Sequence, residues 1–237
     1  MPVNLAYRAY RFVWDALDWL YPPTCGGCNQ PGVRWCDNCA EATPEIAPPF
    51  CLICGDTYQS NHLCQRCREA RPHFDRLRSH TIYQGPIRDA VHRLKYRRDM
   101  SIGEILSRPM IASLEKQNWS VDIVASVPLG LVRFKERGYN QATLLARPIA
   151  LWLRLPFISG AICRTRETRS QVGLTASERH ENMMNAFHAS SKLVSGKRVL
   201  VVDDVATSGA TLDACSKALR DAGAVRVYCF TLARALY

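Results

Sequence analysis

The stretch Lys197-Arg198-Val199-Leu200-Val201-Val202-Asp203-Asp204-Val205-Ala206-Thr207-Ser208-Gly209-Ala210-Thr211-Leu212 decides the fold. Its run from Val199 to Val202 is apolar and mostly β-branched, which predicts a strand buried on both faces of a parallel sheet. Two carboxylates follow at once. Because unpaired carboxylates are expensive to bury, we expect Asp203 and Asp204 at the carboxyl end of that strand, where ligands bind in open α/β folds.

The residues after the two carboxylates are small or contain a hydroxyl group, and they predict an anion site. Gly209 tolerates a positive φ, and the hydroxyls add donors to the main-chain N–H groups. Leu212 to Ala222 predicts a helix ended by Gly223, whose positive amino end faces the same anion. The loop is not a Walker A loop, since no Lys follows the glycine, and the chain contains no GxGxxG.

The two carboxylates can accept hydrogen bonds from a diol, and the loop beside them can donate hydrogen bonds to a phosphate. This combination predicts a binding site for a ribose 5-phosphate. The alternative is an ordinary strand, loop and helix with a solvated pair of aspartates. The predicted binding residues are Asp203, Asp204, Ala206, Thr207, Ser208, Gly209, Ala210 and Thr211.

Charge and composition limit the possible partners and compartments. The 237 residues include 31 Lys and Arg against 21 Asp and Glu, a net charge of +10, so we expect an anionic partner: nucleic acid, nucleotide or membrane surface. The composition suits one α/β domain with a small appendage. The sequence contains no apolar run of about 18 residues, the length of a membrane span. We therefore expect a cytoplasmic protein, with peripheral contact at the inner membrane left open.

Residues 4–21 predict an amphipathic helix that occupies most of a first segment, 1–23. Its aromatic residues and arginines suit a membrane surface. Packing on its own protein or on a partner is favoured instead, because two aspartates offset two arginines. Pro22-Pro23 ends the helix.

Eight of the 11 cysteines form four CxxC pairs in a second segment, 24–70. Two pairs complete a closed tetrahedral shell of four thiolates, so two structural Zn²⁺ sites are predicted, with iron–sulfur clusters left open. The segment has too few large apolar residues for its own core, and metal would replace that core. We prefer sequential pairing to interleaving, and the ligands are then Cys25, Cys28, Cys36 and Cys39 at one site and Cys51, Cys54, Cys64 and Cys67 at the other. His62 and His73 are possible substitutes, and Cys163, Cys215 and Cys229 are expected to be buried and inert.

Basic segments recur through the third segment, 71–237. One follows a predicted helix at Lys95, another is a predicted glycine-hinged loop from Arg133 to Gln141, and a third contains Arg164, Arg166 and Arg169. Close arginines repel one another without an anion between them, and an aromatic ring beside cations can stack on a base. The candidate contacts to diphosphate or DNA are Lys95, Arg137, Tyr139, Arg166, Arg169 and Gln171.

The run Val201 to Thr211 is similar to the phosphoribosyl-diphosphate (PRPP) signature of the type I phosphoribosyltransferases. That resemblance implies that the two acids hold the ribose hydroxyls, that the loop holds the 5-phosphate and that Mg²⁺ accompanies the diphosphate. The chain combines this run with Arg137 to Gln141, the block Arg169-Ser170-Gln171 and the preceding cysteine pairs. That combination resembles the ComF/GntX family of competence proteins. The likeness implies a type I phosphoribosyltransferase-like parallel sheet flanked by helices, preceded by a small Cys-rich zinc-ribbon module.

The same resemblance implies a PRPP-binding protein that assists uptake of single-stranded DNA in natural transformation. Its expected partners are PRPP or another phosphoribosyl ligand, single-stranded DNA and a protein of the DNA-uptake machinery. An active phosphoribosyltransferase in nucleotide or DNA utilisation is the alternative. A third possibility is a nucleic-acid module in which the zinc ribbons bind DNA or a partner and the PRPP loop is vestigial. The intact pair of aspartates argues against it. The sequence departs from the family at Leu129-Gly130, where a second proline and a histidine are common, and at Arg98, where glycine is common.

Overall fold

The computed structural model describes residues 5–58, 62–165 and 186–236. Its helices are α1 (Leu5–Leu20), α2 (Asp37–Glu41), α3 (Gln65–Glu69), α4 (Gly85–Tyr96), α5 (Ser101–Glu115), α6 (Leu131–Arg137), α7 (Gln141–Leu153), α8 (Ser191–Val194) and α9 (Ala210–Asp221). Its strands are β1 (Arg76–Ile82), β2 (Ile123–Ser126), β3 (Ile162–Arg164), β4 (Phe187–Ala189), β5 (Arg198–Ala206) and β6 (Arg226–Arg234).

A parallel sheet in the order β1-β6-β5-β2 forms the centre of the fold. Strand β5 lies inside the sheet, and Val199 to Val202 are fully buried, as the apolar run predicts. The strand extends beyond this run because its ladder with β6 continues to the pair Ala206 and Arg234. The predicted α/β fold with a parallel sheet is therefore confirmed.

Helices and small elements cover both faces of the sheet. Leu200 and Val202 of β5 share one apolar core with α4, α5 and α7. Val199 and Val201, which point the other way, share a second core with α9, the antiparallel pair of β3 and β4, and the segment from Cys51 to Cys67. Because the strands are parallel, β2 and β5 end at the same edge of the sheet.

Helix α1 packs on the protein through one face and leaves the other exposed. Tyr7 is buried and meets the edge of Trp152 at 5.1 Å between ring centroids. Leu5, Phe12 and Trp19, spaced seven residues apart on the outer face, are 79%, 72% and 86% exposed. Packing on its own protein is thus confirmed for one face only. None of the helices in the described ranges is long and apolar enough to cross a bilayer.

A buried ion network joins α1 to the first cysteine-rich segment and to α5. Glu104 of α5 is fully buried, and its carboxylate lies 2.9 Å from Arg34 and 3.0 Å from Arg108. Arg34 also lies 2.7 Å from Asp18 of α1. A buried charge needs such partners, so these contacts fix how α1 and the first cysteine-rich segment lie on the sheet.

Two sequence expectations are wrong. The segment Arg133 to Gln141 is not a single loop, since α6 occupies Leu131–Arg137 and Gly138, at φ +81°, separates it from α7. Helix α6 has no buried residue, so it lacks the apolar periodicity by which a helix is recognised.

Cys163 is exposed rather than buried, because alternation along β3 turns Ile162 inward and Cys163 outward. Cys215 and Cys229 are buried as expected.

Candidate functional site

The two aspartates lie on opposite faces at the carboxyl end of β5. Side chains alternate along a strand, so Asp203 continues the row of Val201 and Asp204 continues the row of Val202. Asp203 is partly buried, and its Oδ1 accepts a hydrogen bond from the backbone N–H of Asp204 at 2.8 Å. Burial and the charge of Asp204 raise the pKa of Asp203 to about 8.

Asp204 is more deeply buried and is paired with a cation. It is 4% exposed, and its Oδ2 lies 3.0 Å from Nζ of Lys95 in the last turn of α4. That carboxylate oxygen accepts no well-formed hydrogen bond from the described residues. Lys95, which the sequence predicts as a contact for diphosphate or DNA, therefore lies against Asp204, one of the two residues predicted to bind the ribose hydroxyls.

The loop after β5 presents donors at the start of α9. Thr207 and Ser208 are exposed, and Gly209 adopts φ +81°, a left-handed conformation that glycine adopts without steric cost. Helix α9 begins at Ala210 without a side-chain cap from Gly209. The first N–H groups of a helix have no partner within it and, with the helix dipole, attract anions. The predicted glycine turn is confirmed, the helix begins at Ala210 rather than at the predicted Leu212, and the ligand remains a prediction.

A basic ridge adjoins this site at the same edge of the sheet. We use that name for the exposed or partly exposed residues Tyr96, Arg97, Arg98, Arg133, Phe134, Lys135 and Arg137. The guanidinium of Arg137 lies 5.1 Å from the ring centroid of Tyr96, the residue directly after Lys95. Arg98 adopts φ +55°, a left-handed conformation that is uncommon for residues other than glycine.

Other predicted contact residues have structural partners or lie outside the described ranges. Tyr139 is partly buried, and its hydroxyl donates to the carbonyl of Leu94 at 2.5 Å, so it anchors the turn between α6 and α7. Arg137 donates to Oε1 of Gln141 at 2.8 Å. Arg166, Arg169 and Gln171 lie outside the described residues.

The first four cysteines of the pairs form a cluster that fits a tetrahedral metal. The Sγ atoms of Cys25, Cys28, Cys36 and Cys39 lie within 4.8 Å of one another, and Cys36 is 3.6 Å from both Cys25 and Cys28. Four thiolates at the Zn–S distance of about 2.3 Å have S–S separations of about 3.8 Å. Burial raises the pKa of Cys25, but N–H donors that include Cys28, Cys36 and Gly27 bring it to about 6. Burial and the neighbouring thiols raise the pKa of Cys39, so four thiolates held together here require a bound cation.

The second cluster repeats the first. Cys51, Cys54, Cys64 and Cys67 lie within 4.8 Å of one another, with Cys54 and Cys64 at 3.7 Å. In each cluster the third cysteine precedes a short helix, and its N–H lies 3.4 Å from Sγ of the first cysteine. Sequential pairing is confirmed, and both sites fit Zn²⁺. His73 is not a ligand in this grouping; its Nδ1 lies 3.1 Å from Asp213.

Sequence reasoning missed the contacts that join the second cluster to the sheet and to the candidate site. We call Cys25 to Cys39 the first ribbon and Cys51 to Cys67 the second ribbon. Arg78, 5% exposed, donates to the carbonyl of Leu52 at 3.0 Å, and Arg234, 1% exposed, donates to the carbonyl of Cys54 at 2.8 Å. Arg66 donates to the carbonyl of Ser208 at 2.9 Å. No local pattern marks these arginines, because each partner is distant along the chain.

Comparison with known proteins gives a consistent assignment. Residues 16–68 match the double zinc ribbon domain, and residues 110–236 match the phosphoribosyl transferase domain. The DNA utilization protein YhgH of Escherichia coli is 33% identical over 225 residues, which cover 91% of this chain and 98% of that protein.

Two competence proteins also match along most of their lengths. Competence protein F of Haemophilus influenzae is 32% identical over 84% of this chain and 90% of its own. Competence protein ComFC of Bacillus subtilis is 27% identical over 86% of each chain. With its two four-cysteine ribbons and its parallel sheet, the chain therefore belongs to the ComF family, which includes competence protein F, ComFC and YhgH.

Proposed function

We propose that the protein binds PRPP after β5 and assists the uptake of single-stranded DNA in natural transformation. The observation on which this rests is the sequence of features at one strand end: two carboxylates, a left-handed glycine and the start of a helix. The carboxylates accept from ribose hydroxyls, while the loop N–H groups and hydroxyls donate to the 5-phosphate. The names of the competence relatives support the cellular role.

Mg²⁺ bound with PRPP would neutralise part of the diphosphate charge and orient its oxygens. Asp203 and Asp204, at the end of β5, offer the carboxylate oxygens that this cation prefers. Lys95 lies beside Asp204 and supplies positive charge on the same side. Ligand binding would compete with the Lys95 pair, because ribose hydroxyls donate to the oxygen that Lys95 now contacts.

The basic ridge is the proposed contact for single-stranded DNA. Its cations are solvent-accessible, and it contains two exposed aromatic rings, Tyr96 at 65% and Phe134 at 47% exposure, of which Tyr96 lies 5.1 Å from Arg137. Phosphates attract such cations without regard to sequence, and bases stack on such rings. Since Lys95 and Tyr96 are consecutive, the proposed DNA contact and the proposed ribose site share the end of α4.

Catalysis of phosphoribosyl transfer is a second candidate function, and Asp203 favours it. A carboxyl group with a pKa of about 8 can accept and release a proton near neutral pH, as a general base must. A scan of free bases and nucleosides for diphosphate release from PRPP tests this activity. Release that depends on Asp203 supports transfer, and the absence of release with every acceptor contradicts it.

The outward face of α1 is the proposed contact with a protein of the DNA-uptake machinery. Its exposed apolar residues, Leu5, Phe12 and Trp19, need a partner that removes them from water. The helix contains two Arg and two Asp, so it lacks the excess positive charge that favours an anionic inner membrane. We expect the protein in the cytoplasm, where thiolates stay reduced. Flotation with anionic vesicles decides between a partner protein and the membrane surface as the contact of α1. Vesicle binding that depends on Phe12 would favour the membrane.

Equilibrium titration of the full chain with PRPP and Mg²⁺ tests the proposed ligand. We expect saturable binding of one PRPP per chain and competition by ribose 5-phosphate, which shares the ribose and the 5-phosphate. Asp221→Asn is a matched control, because Asp221 lies at the far end of α9 and pairs with Lys217. Failure of wild-type protein to bind PRPP contradicts the proposal.

A further inference from the structure

We propose that the second ribbon is part of the phosphate site, with Arg66 as the residue that positions the loop after β5. The inference rests on the proposed function, since it concerns the same site. It goes beyond a purely structural role for the metal, because it makes phosphate affinity depend on one side chain of the ribbon.

The second ribbon is built into the main core rather than attached to it. Cys51, Ile53, Cys54 and Cys67 belong to the same apolar core as Ala206 and Leu212, the residues that flank the loop. The backbone N–H of Leu77 donates to the carbonyl of Ile53 at 2.7 Å, which extends the edge of the sheet onto the ribbon. The ribbon therefore provides a fixed surface directly beside the loop.

Arg66 connects that surface to the loop itself. It lies on α3, between the last two cysteines of the cluster, and its Nη1 lies 2.9 Å from the carbonyl oxygen of Ser208. Ser208 precedes Gly209, whose left-handed conformation turns the chain into α9. A guanidinium on this carbonyl holds the peptide between Ser208 and Gly209 in one orientation, and so fixes where the following N–H groups point.

The orientation of this peptide matters for anion binding. Backbone donors bind a phosphate well only when they are aligned in advance, because ordering a loop on binding costs free energy. The loop has little else to hold it: Thr207 and Ser208 are exposed, and the N–H of Ala210 reaches the Ser208 hydroxyl only at 3.4 Å. The cation also adds positive charge beside the proposed phosphate position.

The first ribbon provides a contrast within the same chain. Its described contacts are with α1, α4 and α5, on the other face of the sheet: Arg93 donates to the carbonyl of Cys25 at 2.7 Å, and Arg34 pairs with Asp18 and Glu104. The two ribbons share one local architecture, yet the arginine that reaches the loop is on the second. We infer that the first ribbon stabilises the fold, whereas the second ribbon also prepares the ligand site.

Ribose 5-phosphate binding to the full chain tests the proposal, with Arg66→Ala, Arg66→Lys and Arg68→Ala as variants. Arg68 is an exposed arginine on the same short helix and serves as the matched control. We expect Arg66→Ala to weaken binding about tenfold, the loss of one charged hydrogen bond. Arg66→Lys should recover most of the affinity, and Arg68→Ala should bind as wild type. Metal content should stay at two per chain in every variant.

Hydrogen exchange of the loop amides, measured without ligand, separates this proposal from the proposed function. If wild-type protein does not bind ribose 5-phosphate, the proposed function fails, and the exchange of residues 207–212 still decides the role of Arg66. We expect about tenfold faster exchange there in Arg66→Ala. Unchanged exchange and affinity overturn the proposal. So does a loss of affinity that occurs only with loss of metal, because Arg66 would then act on the cluster rather than on the loop.

Discussion

Asp203→Asn should stabilise the protein above neutral pH while removing a carboxylate that the proposed ligand needs. Burial and the charge of Asp204 raise the pKa of Asp203 from 3.8 to about 8. The folded protein therefore keeps a proton that the unfolded chain releases. Between these two pKa values the free energy of unfolding falls as pH rises, and below the lower value the effect is absent.

The size of the effect follows from the two pKa values. A difference of about four corresponds to an upper limit of about 5 kcal/mol above the higher pKa. Asp203 is only partly buried, and Lys95 offsets the charge of Asp204 from 3.0 Å. With solvent screening we expect about 2 kcal/mol. Asparagine removes the charge and keeps an oxygen that accepts the N–H of Asp204.

Urea unfolding of wild type, Asp203→Asn and Asp204→Asn at about pH 5 and about pH 9 measures this effect. Asp203→Asn should gain about 2 kcal/mol at the higher pH and less than half of that at the lower pH. Asp204→Asn is the matched control at about pH 5, where Asp203 keeps its proton in the folded protein: the Asp204 carboxylate is paired with Lys95, so its removal should destabilise there. An Asp203→Asn variant that gains nothing at high pH, or gains equally at both, refutes the reasoning.

The metal clusters, the basic ridge and the buried ion network each lead to a further prediction. Elemental analysis should find two zinc ions per chain, and a strong chelator should unfold the whole protein, because Cys51, Cys54 and Cys67 lie in the main core; a folded metal-free chain would contradict this. Single-stranded DNA affinity, measured by fluorescence anisotropy, should fall steeply with salt and weaken in Arg137→Ala, and salt-independent binding would count against the ridge. Glu104→Gln should lower the free energy of unfolding by about 3 kcal/mol, since it removes the buried negative charge that Arg34 and Arg108 share and leaves Arg34 with Asp18 alone; a neutral result in urea unfolding would show that the network is dispensable.

Local patterns predicted the parts of the molecule that depend on consecutive residues. The apolar run before Asp203 predicted the buried strand, and the small residues after it predicted the turn at Gly209. The spacing of the CxxC pairs predicted two closed clusters, because two adjacent knuckles reach one metal more easily than interleaved ones.

Contacts between distant residues could not be predicted in this way. The pair of Lys95 with Asp204 depends on where the end of α4 meets β5, and the bond of Arg66 to Ser208 joins residues that are 142 positions apart. Helix α6 was missed because it buries nothing, so its apolar and basic residues show no helical face. The position of these contacts is set by packing across the sheet rather than by any local preference.

The most direct test of the proposed function is calorimetric titration of PRPP with Mg²⁺ into wild type and into the double variant of Asp203→Asn and Asp204→Asn. If both groups accept from ribose hydroxyls as carboxylates, with Asp203 releasing its proton when the ligand and Mg²⁺ bind, each is worth about 1.5 to 3 kcal/mol, and each loss weakens binding by about one to two orders of magnitude. The account predicts saturable binding by wild type and none by the double variant, with folding and two metals per chain retained. Equal binding by both proteins, or no binding by wild type, would contradict it.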